Sequence, residues 1–161
     1  MPIRKTDKGW YWGSKGPFAT KQKAIDVGRA AYASGYREAE QMDKETVVNF
    51  ASTMLHSITC VHMLHLNTTS YAAHIALSDY YEGIDDLIDL WIEAYQGKYG
   101  LIDKYSDTFE SHDNALEYMI MLNEYIADTR PALPQDSELQ NIVDEMVALT
   151  DRTIYKLRTF R

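Results

Sequence analysis

Between Tyr71 and Gln96 the chain carries six Asp/Glu and not one Lys or Arg. Through this stretch His74, Ser78, Glu82, Asp85 or Asp86, Asp89 and Glu93 recur at steps of three and four. Such steps line up on one side of a 3.6-residue helix. On an ordinary surface helix, acids alternate with bases at i+4. Like charges at that spacing instead cost a few tenths of a kcal/mol each, about 1 kcal/mol over the row. Water or a bound cation removes the cost. The stretch therefore predicts a long helix bearing either a solvated acidic face or a metal site led by a histidine.

The surrounding pattern predicts an all-α fold, a four-helix bundle over residues 41–161 with a small ββα-like appendage over 1–40. Asp43 is placed to cap a helix over 44–66, with Glu45 in its first turn. Val47, Phe50, Ala51, Met54, Leu55, Ile58, Val61 and Leu64 supply its apolar repeat. The cap and turn formers Asn67 to Ser70 then make a tight connection. The acidic helix runs from Tyr71 to a stop at Gly97, antiparallel to the helix before it. Residues 98–111 read as irregular. A third helix is expected over 113–129, stopped by Pro131 and Pro134, and a fourth over 137–159. Four amphipathic helices of matched length favour a bundle.

In the appendage, Gly9, Gly13, Gly16 and Pro17 punctuate short aromatic runs, Trp10 to Trp12 and Phe18. This density predicts a short hairpin or strand pair. It needs cover from a helix that Thr20 caps and Gly35 ends, with Ala24, Ile25, Gly28, Ala31 and Tyr32 on its apolar side. The segment Gly9 to Phe18, followed by Ala30 to Tyr36, resembles an N-terminal module of tailed-phage virion proteins. That resemblance covers about a quarter of the chain.

Charge separates the two parts. Residues 1–40 carry eight Lys/Arg against four Asp/Glu, and residues 41–161 carry eight against twenty, within a net −8. The bundle is thus a poor nonspecific nucleic-acid binder, while the appendage suits an anionic surface. No run approaches 18 apolar residues, so no membrane span is expected. The opening residues Met1 to Lys8 lack the apolar core of a secretory signal. The single cysteine, Cys60, excludes an internal disulfide and reads as an inert core thiol.

Of the five histidines, His65 and His74 flank the tight turn, so the end of one helix meets the start of the next beside them. Imidazole is the commonest protein ligand of first-row metals. An iron site inside one bundle uses Glu-x-x-His on two helices, and the chain contains no such motif.

The spacing instead resembles the Dps-like mini-ferritins, whose ferroxidase site lies between two subunits. Their pattern is a His ending one helix, a His early in the next and an acid four residues later. Asp and Glu then follow fifteen and nineteen residues after that second His. His74, Asp89 and Glu93 match this spacing. His65 sits in a similar local pattern with a turn three residues shorter, whereas His62 keeps the family's separation from His74. The acid expected four residues after His74 is Ser78; Asp79 lies one residue late and Glu82 one turn further along the same face, and either displaced carboxylate could fill the gap. A closer resemblance is to a phage-encoded, ferritin-like branch of the family, carried by Thr68, Ser70, Tyr71, His74, Tyr81, Glu82 and the run Asp89 to Gly100.

The resemblance implies a metal set of His65, His74, Glu82, Asp89 and Glu93, taking Fe²⁺, with Mn²⁺ or Zn²⁺ also suited to the donors. It implies a homo-oligomer, from a dimer up to a dodecameric shell, that oxidises Fe²⁺ with peroxide or oxygen and stores it. The alternative is a virion structural protein that uses the bundle for assembly and docks on capsid or other virion proteins. Either places the chain in the host cytoplasm or the virion. DNA binding is not expected, because the N-terminus reads as folded rather than as a flexible Lys-rich tail.

Overall fold

The computed structural model describes residues 3–12, 15–33 (backbone alone for 31–33) and 44–160. The expected roles of Gly13, Gly35 and Asp43, and of the Ala31 and Tyr32 side chains, lie outside the described residues. The chain divides into two compact units, Met1–Gln41 and Met42–Arg161.

The first unit is an antiparallel sheet in the order β1 (Ile3–Thr6), β2 (Gly9–Trp12), β3 (Lys15–Phe18), followed by α1 (Lys21–Ala33). Three strands replace the expected pair. The two edge strands carry the residues that disguised them, Arg4 and Lys5 on β1 and Pro17 on β3. Charges and proline are what edge strands tolerate, because one side of each lacks a ladder partner. Ile3 pairs with Trp12 and Trp10 with Phe18. Trp12 and Ala24 are buried between sheet and helix, with Ile3, Trp10, Phe18 and Val27 around them. Thr20 Oγ1 accepts the Lys23 amide and caps α1.

The second unit is helical: α2 (Lys44–Asn67), α3 (Tyr71–Tyr99), α4 (Ala115–Thr129), a 3₁₀ turn (Arg130–Ala132) and α5 (Ser137–Thr159). Ser70 Oγ accepts the Ala73 amide at the start of α3. Asn114 Oδ1 accepts the Leu116 and Glu117 amides at the start of α4, so that helix begins slightly later than its composition implied. The helix α3 does not stop at Gly97. It continues to Tyr99 and closes at Gly100, whose φ of 96° lies in the left-handed region and whose amide donates to Gln96 O. Twenty-nine residues make a rod about 43 Å long.

Each of α2, α3, α4 and α5 packs on two others: α2 on α3, α3 on α5, α5 on α4 and α4 on α2. Their inner faces share one core, in which Phe50 meets Trp91 edge-on at 5.0 Å and Trp91 stacks on Tyr95 at 5.6 Å. Residues 101–112 form an irregular strap. Three positions of α2, one turn apart, hold it: Ser52 Oγ accepts Ser106 N, His56 Nε2 donates to Ser106 O, and Cys60 Sγ donates to Glu110 O. Cys60 is buried, and burial pushes its thiol up. By length and composition α2 is long and apolar enough to cross a membrane, although it holds no unbroken run of 18 apolar residues. Its Val47, Phe50, Ala51, Met54, Val61 and Leu64 are spent on the core.

Candidate metal centre

The end of α2 and the start of α3 are joined by two reciprocal bonds. His65 Nδ1 donates to His74 O at 2.9 Å, and His74 Nδ1 donates to His65 O at 3.1 Å. The rings stack with centroids 3.7 Å apart. A carbonyl oxygen only accepts, so both Nδ1 atoms carry hydrogen. In the neutral imidazole the Nε2 lone pair is then left for another partner. Holding Nδ1–H on a backbone carbonyl is how metal-ligating histidines are oriented. The three-residue turn makes this exchange possible, because it brings the last turn of α2 within one side chain of the first turn of α3.

Around the pair, His62 is exposed and stacks on Tyr81 at 4.5 Å, while Tyr81 stands edge-on to His65 at 5.3 Å. Ser78 Oγ donates to Glu82 Oε1 at 3.1 Å and lies 3.4 Å from the Tyr81 hydroxyl. Ser78 thus ties the Glu82 carboxylate back toward the histidines rather than supplying a carboxylate itself. Asp79 is taken by Lys156 of α5 at 2.5 Å. That tertiary neutralisation does not show in the charge pattern of α3; the basic residues clustered at the end of α5 were its only sequence signal.

Glu82, Asp85, Asp86, Asp89 and Glu93 are all exposed, and among the described residues none is paired with a cation. The structure brings His65 and His74 together and places Asp89 and Glu93 one turn apart on α3. It does not bring the two pairs to each other within one chain. Fifteen residues of helix separate His74 from Asp89, about 22 Å along the axis. Glu82 lies about 12 Å along it. Accordingly, no group of three or more His, Cys, Asp or Glu side chains among the described residues is arranged to hold a metal ion.

A model described as a family of unknown function, DUF5856, matches residues 65–157. No curated protein and no solved structure matches the chain. The matched span begins at the first histidine of the reciprocal pair, takes in the acidic helix, and ends in the last turn of α5. It covers more than half of the sequence, and the chain belongs to the DUF5856 family.

Proposed function

We propose that the second unit is a ferritin-like four-helix bundle of the Dps-like kind, binding, oxidising and storing Fe²⁺ at a site completed by a second copy of the chain. The observation that carries this reading is the reciprocal His65–His74 pair, which leaves two Nε2 atoms for a metal at one end of an acidic helix. The donor chemistry fits: neutral imidazole and carboxylate suit Fe²⁺, as they suit Mn²⁺ or Zn²⁺. In this assignment His65 and His74 hold the ion from one copy, Asp89 and Glu93 reach it from the other, and Glu82, drawn back one turn by Ser78, lines the acidic seam between the two ion positions. Two Fe²⁺ ions give up one electron each, and one hydrogen peroxide takes both to become two hydroxides.

The exposed apolar residues of α3 support the two-copy arrangement. Ile75 and Leu90 are 41% and 53% exposed, and they are fifteen residues apart, the same interval as His74 and Asp89. An antiparallel crossing of two copies of α3 that brings His74 opposite Asp89 brings Ile75 within two residues, about 3 Å along the axis, of Leu90. The apolar contact offsets part of the cost of facing two acidic helices, and the cation offsets the rest.

Titration of the purified chain with Fe²⁺ and peroxide, read by bound iron and by absorbance of the ferric product, tests the reading. Loss of both in His74→Ala and in Glu93→Ala is expected. Unchanged iron binding and oxidation in those variants sinks it.

The first unit supports a second reading, a virion structural protein that docks through this module. Its described residues hold a core of their own around Trp12 and carry seven Lys/Arg against two Asp/Glu. Absence of the chain from purified particles, by mass spectrometry, removes that reading.

A further inference from the structure

At the opposite end of the unit from the histidine turn, a cavity of about 430 Å³ lies between the first turn of α2, the last turns of α3 and the start of the strap. Its walls are Val47, Val48, Tyr95, Ile102 and Tyr105. This volume falls within the range of pockets that hold small organic molecules.

Two of the walls are chemically unfinished. Tyr95 is 4% exposed, yet its hydroxyl has no hydrogen-bond partner among the described residues. Tyr105, half-buried, has none either. By contrast Tyr80, deeper in the same core, meets Ser57 Oγ at 3.2 Å, and Tyr99 donates to Asp136. Trp91 Nε1 is the one fully buried side-chain polar atom without a partner among the described residues, so the Tyr95 hydroxyl keeps an accessible face and can meet a polar atom arriving through the cavity. Burial also pushes both phenols up, which keeps them neutral and able either to donate or to accept. The rim carries Lys44 and Lys104 together with Glu45 and Asp103. Two charges of each sign cancel, so the mouth does not select for an ionic head.

We propose that this cavity binds an uncharged, largely apolar small molecule, with an aromatic body and one hydrogen-bonding oxygen that pairs with the Tyr95 hydroxyl. The site is independent of the iron reading. It shares no residue with the metal centre and stands or falls without metal.

Equilibrium dialysis of the full chain, without iron, against 2-naphthol, naphthalene and 2-naphthoate separates the contributions. Saturable binding of naphthol, about five- to tenfold tighter than naphthalene, is expected from one added hydrogen bond. Naphthoate should bind more weakly than naphthol. Tyr95→Phe should erase the preference for naphthol and leave naphthalene unchanged. Val48→Trp, which fills the cavity, and Leu101→Trp, at an exposed rim position, should each abolish binding of all three. Failure of naphthol to bind the native chain overturns the proposal. So does a preference that survives Tyr95→Phe, tighter binding of naphthoate, or binding unaffected by Leu101→Trp.

Discussion

His65 and His74 each give a ring N–H to the other's backbone carbonyl, so one pair of side chains clasps α2 to α3 across their turn. The clasp is also an orienting device, since it fixes which nitrogen of each ring is free. His65 is 8% exposed, whereas His62, stacked on Tyr81, is exposed. This difference distinguishes the two candidates for the first metal ligand. Replacing His65 by Ala strips the His74 carbonyl of its donor and should cost about 1–3 kcal/mol. Replacing His62 should cost less than about 0.5 kcal/mol. In iron titration His65→Ala is expected to lose Fe²⁺ binding and His62→Ala to keep it. Chemical denaturation beside that titration reads both effects, and a reversed order makes His62 the ligand.

Leu90 tests the two-copy site without touching a ligand. It is 53% exposed, so Leu90→Asp should leave the fold of a single chain intact. Placed near Ile75 of a second copy, the added carboxylate would join an already acidic seam. Light scattering should show the assembly dissociating, with iron oxidation falling alongside. A Leu90→Asp protein of unchanged mass and full activity would mean that the acids serve another geometry.

Much of the second unit was legible because each helix repeats its apolar residues at three and four, and because turn formers stand at Asn67–Ser70 and prolines after Thr129. The first unit was less legible. Strands of four residues carry little periodicity, and the edge features of β1 and β3 look like loop chemistry until a central strand is placed between them. For the centre, spacing alone identified His74, Asp89 and Glu93 as one side of a helix. It could not reveal the carbonyl exchange of His65 and His74, the Ser78–Glu82 bond, or the neutralisation of Asp79 by Lys156. Those depend on how helices meet. The Tyr95 hydroxyl, without a protein partner among the described residues, belongs to the same class, since that too is a tertiary fact.

Gly97 illustrates the limit of glycine as punctuation. It lies inside α3, and a Cβ added there would meet nothing within 4 Å. Gly97→Ala should therefore gain about 0.5–1 kcal/mol from helix propensity alone and raise Tm. Gly100, at φ 96°, is the contrasting control. Gly100→Ala should destabilise by about 1 kcal/mol or more, because the side chain is strained there whatever the space around it. Thermal melts of the two variants should move in opposite directions.

Gly28 has a different reason to be glycine. A Cβ there would lie 2.6 Å from Trp12 Nε1 and 2.8 Å from Trp12 Cδ1. The rigid indole, 3% exposed, cannot swing aside as a flexible side chain would. Overpacking costs about 1–3 kcal/mol, more than the roughly 1 kcal/mol that alanine returns as a helix former. Gly28→Ala should loosen the first unit, seen as a red-shifted tryptophan emission. The second unit's far-UV melting transition should stay in place, because Trp12 and Ala24 form a core cluster separate from that of α2 to α5. A single transition lowered as a whole would show instead that the two cores melt together.

Lys98 ends the acidic helix with the one arrangement in which α3 meets opposite charge from the start of α5. Its ammonium lies 2.5 Å from both Asp136 and Glu138. Hydrogen bonding from Lys98 holds the Glu138 carboxyl below its ordinary value of 4.5, and hydrogen bonds to Asp136 first and Glu138 second hold Lys98 above 10.5. The depressed carboxyl contributes stability that is present above its unfolded pKa and lost as pH falls through the folded one. The raised ammonium contributes below its own unfolded pKa and loses the contribution as pH rises through the raised value. Between those limits the contact is fully formed. Tm should therefore decline as pH drops below the ordinary glutamate value, and decline again in strong alkali. Lys98→Met should flatten the acid limb by freeing Glu138 to titrate normally, and Glu138→Gln should flatten it comparably. Because the contact is solvent-accessible, high salt should shrink the difference between native and variant. An acid limb of unchanged steepness in both variants would place the titrating group elsewhere and leave Lys98 a surface contact of no consequence for stability.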